Sequence, residues 1–318
     1  MTQTTKKVTL SPINYKEYPE FMFAMIAAYL PKSQGKYLRA VAGYIVFKHV
    51  DSYGNTYKNG VRHSYNDLPA VIQDNLRAWY KDGKLEREGD LPAFIRDDRH
   101  EWYKDGRCHR DGDLPAIIER DIKEWYKNGT RHREGDLPSV INGDRQEWYK
   151  NGKRHREGDL PAYIDESINS WYKDGWCHRD GNLPAVIGGE YNAWYKNGVV
   201  HRDRDLPAVI RGGEHKWYKD GKCHREGDLP AVINGDRQEW YIDGQRHREG
   251  DLPAILEGDI QEWYKNGERH REGDLPAIIE RDIQVWYKNG KLHRDGDLPA
   301  VIQGNSKWWY KNGKLEIR

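Results

Sequence analysis

The chain has 318 residues, 32% of them charged, with 52 basic and 51 acidic side chains and a formal net charge of +1. Opposite charges alternate inside recurring Arg-Glu-Gly-Asp segments. That balance argues against strong attraction to nucleic acid or an anionic membrane surface. With 13 Trp and 21 Tyr but only 4 Phe, the apolar residues do not suit one large globular core.

Residues 1–44 stand apart from the rest. Pro19 precedes and Pro31 ends an apolar run from Phe21 to Leu30, which predicts a short helix. Ten residues are too few to cross a bilayer, which takes about 20. The segment is read as a cap over the first open edge of a sheet, with docking to a partner or a membrane surface as the alternative. The start MTQTTKKVTLSP does not resemble a secretion signal. The stretch Tyr44 to Val50 falls one period before the first Leu-Pro-Ala-Val-Ile segment, so the sheet is expected to begin there.

From Thr56-Tyr57 to Trp286-Tyr287, eleven Trp-Tyr or Thr-Tyr pairs recur every 23 residues, and a twelfth follows at Trp309-Tyr310. Surface loops tolerate insertions, so a register held this long means that each copy packs on the next. Residues 45–318 are therefore read as one array of eleven full repeats and a terminal half repeat.

Each copy carries two turn signals. Asn-Gly or Asp-Gly follows Trp-Tyr-Lys, as at Asn128-Gly129, and predicts a type I′ hairpin because both residues tolerate positive φ. That turn places Lys127 opposite Thr130, Tyr126 opposite Arg131, Trp125 opposite His132 and Glu124 opposite Arg133. Asn142-Gly143-Asp144 reverses the chain again. Between the turns, Arg-Glu-Gly-Asp followed by Leu-Pro-Ala-Val-Ile reads as one long returning strand with a bend. The expected fold is all-β: an elongated, twisted antiparallel meander of tandem hairpins with a small N-terminal helical cap. Trp and Tyr are adjacent, so both faces carry aromatic side chains.

Ten histidines, from His63 to His293, occupy one repeat position. Equivalent positions lie about 10 Å apart at two strands per repeat, too far to converge on a metal ion whose ligands sit at about 2 Å. They are expected to pack on the tryptophans, with a soft pH response below about 6.5. Cys108, Cys177 and Cys223 also share one position and stand two or three repeats apart, too far for disulfides. Unpaired thiols favour a reducing, intracellular compartment. Acidic pairs such as Glu134 and Asp136 recur in most copies, whereas an active site needs one special constellation. No catalytic residue, cofactor, metal or small-molecule substrate is assigned.

The unit Trp148 to His155, WYKNGKRH, followed by Gly158 and Leu160-Pro161-Ala162-Tyr163-Ile164, resembles the MORN repeat over about residues 56–318. Arg156 stands where a MORN glycine is usual, and Leu-Pro-Ala replaces the usual Tyr-x-Tyr. The variant is similar to repeat proteins of large DNA viruses of protists and to bacterial MORN-type proteins. The resemblance implies a structural or interaction protein that binds other proteins or itself. A viral origin would imply association with virions.

Departures from the repeat mark candidate partner contacts: Trp176 beside Cys177, Val199-Val200 in place of a polar pair, Ile242 in place of Lys, and Trp308-Trp309. The expected function is a non-enzymatic scaffold for protein contact or self-association. Two alternatives are an antitoxin-like or immunity-like binding protein and an aromatic ladder that binds a lipid headgroup or nucleic acid.

Overall fold

A computed structural model describes residues 48–317, so the expected N-terminal helical cap lies outside the described residues. Every regular element among the described residues is a β-strand. The chain divides into two compact units between Arg120 and Asp121.

In the first unit, Lys48–Val50, Thr56–Lys58 and Val61–Arg62 form a small sheet. Val71–Gln73, Leu76–Ala78, Phe94–Arg96, Arg99–Glu101 and Ile117–Glu119 form a second one, paired antiparallel in chain order. In the second unit the same pattern runs from Ile122–Glu124 through Val140–Asn142, Arg145–Glu147 and Tyr163–Ile164 onward to Ser306–Lys311. Within each unit these strands pair with their neighbours in chain order, which is a meander.

One repeat holds four short strands rather than two. In the copy that begins at Trp148 they are Tyr149–Lys150, Lys153–Arg154, Tyr163–Ile164 and Asn169–Ser170. The first two form a short hairpin, and the last two belong to the meander. The hairpin turn is as expected: Asn151 and Gly152 both have positive φ, at 51° and 79°, and the register Tyr126↔Arg131 and Lys127↔Thr130 is observed.

The returning strand, by contrast, is interrupted rather than bent. Gly158 and Asp159 take φ of 74° and 54° in succession, a left-handed pair that no strand can contain. Pro161 then offers no ladder donor. The chain re-enters the sheet only after the alanine, so Leu160 stays outside the strand and 42% exposed.

Backbone bonds close each copy at its tryptophan and alanine, and the pairing of Glu147 with Tyr163 joins it to the copy before. Trp148 N–H donates to the Ala162 carbonyl at 2.8 Å, His155 N–H to the Trp148 carbonyl at 3.1 Å, and Ala162 N–H to the Ser170 carbonyl at 2.9 Å. Gly152 N–H adds a bond to Arg131 of the preceding hairpin at 2.9 Å. The same bonds recur from copy to copy, so the register is fixed by backbone groups that would otherwise be left without partners. The core is the row of tryptophans from Trp79 to Trp286, each 5–8% exposed, together with the fully buried Leu-Pro-Ala alanines. Ser139 takes the alanine position once and is also fully buried; its hydroxyl bonds the Tyr149 backbone at 3.0–3.1 Å.

Candidate interaction surface

Alternation along the strand puts Trp148 on one face and Glu147 and Tyr149 on the other. On the tryptophan face a clamp links successive repeats. Arg156 lies over the Trp148 ring, 3.8 Å from its centroid. Its Nε and Nη2 donate to both carboxylate oxygens of Asp136 at 2.8 and 2.9 Å, and Nη1 donates to the Pro161 carbonyl at 3.3 Å. The Trp148 indole N–H donates to the Asp136 backbone carbonyl at 3.1 Å. Asp136 thus sits in the left-handed bend of one repeat and receives both the arginine and the indole of the next. The hydrogen bonds from Arg156 hold its carboxyl below the usual aspartate range.

This arrangement corrects two expectations. The group packed on each tryptophan is the arginine, not the histidine. Glu124 pairs with Arg131 at 3.0 Å rather than with Arg133, which stacks on Trp125 at 3.8 Å. The physical reason is that Arg133 has already left the hairpin strand, whereas Arg131 and Glu124 flank Tyr126 on one face. His132 has another task. Its Nδ1 accepts the Asn151 N–H of the next hairpin at 3.1 Å, so the ring proton is assigned to Nε2. That nitrogen faces Glu134 at 2.9 Å, a carboxylate also bound by Lys127 at 3.0 Å.

The tyrosine face carries a second network. Glu147 accepts from Tyr149 at 2.8 Å and from Arg154 at 2.6 Å, and Arg145 approaches it at 2.8 Å. Burial pushes the Glu147 carboxyl up, but the bonds from Tyr149 and Arg154 and the two guanidinium charges outweigh it and hold the group below its ordinary value. The Arg154 guanidinium also lies 5.3–5.7 Å from the rings of Tyr149, Tyr163 and Tyr172. Glu239, Tyr241, Arg246 and Arg237 repeat the arrangement, as do Glu262, Tyr264 and Arg269.

Between these networks the Glu–Arg pair is missing from the same positions. Ser170 and Cys177 replace Glu and Arg in one repeat, and Ala193 and Val200 do so in the next. Lys216 and Cys223 follow, with Lys216 held by Glu214 at 3.0 Å. Burial pushes the Cys177 and Cys223 thiols up to about 12, which leaves them unreactive near neutral pH. Tyr195, in the middle, is likewise pushed up to about 12 by burial, with Tyr191 and Cys177 close by.

Trp176 and Val199 occupy one position in consecutive hairpins and are 63% and 45% exposed. Trp176 lies against the next turn, with its Cε3 only 2.5 Å from where a Cβ on Gly198 would be. Val200 is half-buried on the opposite face, beside the position of Cys177 and Cys223. Ile242, two repeats on from Val199, pairs with Gln245 and is partly exposed. Trp308, opposite Val301, and Trp309 belong to the last long strand. Trp176 and Val199 therefore share one face of consecutive hairpins, Val200 lies on the other, and Ile242 and the final tryptophan pair lie in other repeats. The sequence signal for the stretch without Glu–Arg pairs was present, because in the second unit Glu before Trp accompanies Arg six residues after it, but it appears only once those positions are known to share a face.

Among the described residues, no group of three or more His, Cys, Asp or Glu is placed to hold a metal ion, and no helix is long and apolar enough to cross a membrane. Cys177 and Cys223 are free thiols. Comparison with protein-family models and with curated proteins finds no match for this chain.

Proposed function

We propose that the protein is a non-enzymatic, MORN-like repeat scaffold whose tyrosine face and neighbouring hairpins dock another protein or a second copy of the chain. The observation that carries this reading is local. Hairpins from Tyr172 to Cys223 expose Trp176 and Val199 on one face and, on the tyrosine face, carry the uncharged Cys177, Val200 and Cys223 where the flanking repeats carry ion pairs. Aromatic rings near an apolar centre, with charges at the margin, are the make-up of a protein contact. Repetition lets weak contacts add. The Lys and Arg side chains of the hairpins are largely engaged by carboxylates of the same copy, such as Lys150 with Glu157 and Arg154 with Glu147, which leaves little free positive charge for a phosphate backbone.

Affinity capture from the native source with the full chain as bait, followed by mass spectrometry, tests the proposal. The expected result is a specific protein partner, or the chain itself, whose recovery falls when Trp176 and Val199 are both replaced by lysine. Recovery unaffected by that double replacement contradicts the assignment of this surface.

A further inference from the structure

Hairpins are tied to their neighbours by histidines. The Asn197 N–H donates to His178 Nδ1 at 3.1 Å, and eight further turns make the same bond at 3.1–3.3 Å, from Asp82 with His63 to Asn312 with His293. The bond needs the lone pair of a neutral ring, because a backbone N–H can only donate. Glu86 fills the histidine position once, and its carboxylate accepts the Asp105 N–H at 3.3 Å. The position therefore calls for an acceptor. A protonated imidazole carries N–H on both nitrogens and cannot be one.

The turns differ in what they offer a charged ring. At an Asp-Gly turn the carboxylate already lies beside the same nitrogen: His155 Nδ1 is 3.5 Å from Asp174, and His201 Nδ1 is 3.3 Å from Asp220. There a protonated ring can donate to the carboxylate, so one tie replaces the other. Asn197 offers only a neutral amide oxygen, a weaker acceptor for a cation. Charges on the other side of the rings do not separate the three sites. Nε2 faces Asp180 at 2.9 Å in His178, Glu157 at 3.0 Å in His155 and Asp203 at 2.9 Å in His201. Each of those carboxylates is shared with a lysine, Lys173, Lys150 and Lys196 in turn.

The His178 tie joins the two hairpins of the proposed docking surface. Hairpin 172–177 carries Trp176, and hairpin 195–200 carries Val199 and the Gly198 turn against which Trp176 lies. The ties on either side of it end on Asp174 and Asp220. We propose that acid releases this docking surface: protonation of His178 loosens the Asn197-Gly198 turn from the hairpin of Trp176, while the neighbouring turns at Asp174 and Asp220 stay in place. This rests on the docking role given to Trp176 and Val199 above. The tie holds above the range in which imidazoles titrate, about 6.5, and is lost as pH falls through it.

The test is residue-resolved amide exchange on the full chain at about pH 7.5 and about pH 5, corrected for the intrinsic effect of pH. Each turn glycine donates to the hairpin before it, Gly175 to Arg154, Gly198 to Cys177 and Gly221 to Val200, at 2.9–3.0 Å. Protection of Gly198 is expected to fall about tenfold at the lower pH, as for the loss of one hydrogen bond, while Gly175 and Gly221 keep theirs. Asn197→Asp is expected to hold Gly198 at both pH values, and Asp174→Asn to make Gly175 acid-sensitive. Both residues occur at this turn position with positive φ, so the fold accepts either. Unchanged protection of Gly198, or the same loss at all three glycines, overturns the proposal. Affinity capture through Trp176 and Val199 should fall at the lower pH for the wild type and not for Asn197→Asp; capture that is equal at both pH values for the wild type overturns the release. Capture that ignores the lysine replacement of Trp176 and Val199 contradicts the docking surface itself and leaves the exchange result standing.

Discussion

Arg156 lies over Trp148 at 3.8 Å from the ring centroid while gripping both carboxylate oxygens of Asp136, a residue of the preceding repeat. One side chain therefore covers the core of its own repeat and ties it to its neighbour. Lysine cannot reproduce the planar fork or the stacking. Arg156→Lys is expected to destabilise the two adjoining repeats by about 1 kcal/mol, a cation–π contribution plus a half-exposed ion pair discounted for solvent screening. Hydrogen exchange of the Trp148 and Ala162 amides checks this, and the effect should fade within one or two repeats.

The alanine of each Leu-Pro-Ala is fully buried at every copy from Ala70 to Ala300 except where Ser139 replaces it. Ala162→Val forces extra methyl groups into that space and is expected to cost about 1–3 kcal/mol. Ser139→Ala restores the residue used elsewhere and is expected to change stability by less than about 1 kcal/mol, since only a local hydroxyl bond is lost. Urea denaturation of the two variants side by side reads the difference.

Glu147 keeps only 3% of its side chain exposed, so its charge depends on Arg154 and Arg145. Glu147→Ser alone leaves Arg154 without its carboxylate, whereas Glu147→Ser with Arg154→Cys copies the Ser170–Cys177 pair that the next repeat already uses. A double-mutant cycle is expected to show the double variant more stable than the sum of the singles by about 1 kcal/mol or more. An additive result would mean that the two positions are independent.

Gly198 adopts φ of 84°, and a Cβ there would meet the Trp176 ring; at Gly175 the nearest atom would be Lys153 Cβ at 3.5 Å. Gly198→Ala is expected to be the more destabilising of the two alanine replacements, by about 1 kcal/mol beyond the positive-φ cost they share. Trp176→Lys should abolish that excess. Thermal melts of the four variants decide it.

The carboxyls of Asp136, Asp159, Asp205, Asp228 and Asp251 are held low by hydrogen bonds from the arginine of the next repeat. A carboxylate lowered in the folded state contributes stability above its unfolded value of about 4 and loses it as pH falls through the folded value. Thermal stability is therefore expected to hold between pH 7 and about 5 as far as these groups are concerned, and to fall steeply below about 4. High salt should reduce the contribution, because these aspartates are about half exposed.

Much of this was legible in the residues. Asn128-Gly129 gave the hairpin and its register because the turn chemistry admits few alternatives, and the 23-residue period identified the tryptophans as the shared core. The break in the returning strand was not legible, since a left-handed Asp159 after Gly158 leaves no mark on the apolar pattern that follows. Nor was the exchange of roles between Arg156 and His155. Alternation places them on opposite faces only while the strand lasts, and it ends at Arg154. Val200 was singled out as a departure, but its place among positions that carry arginine in flanking repeats required knowing that Glu147, Tyr149 and Arg154 meet on one face.

The central claim, that every repeat is closed by the same backbone bonds at Trp and Ala, is tested most directly by residue-resolved amide hydrogen exchange. The account predicts slow exchange at Trp148, Ala162, Trp171, Ala185, Trp194 and Ala208 alike, and fast exchange at the Gly158-Asp159 bend. Fast exchange at the alanines, or protection confined to a few tryptophans, would contradict it.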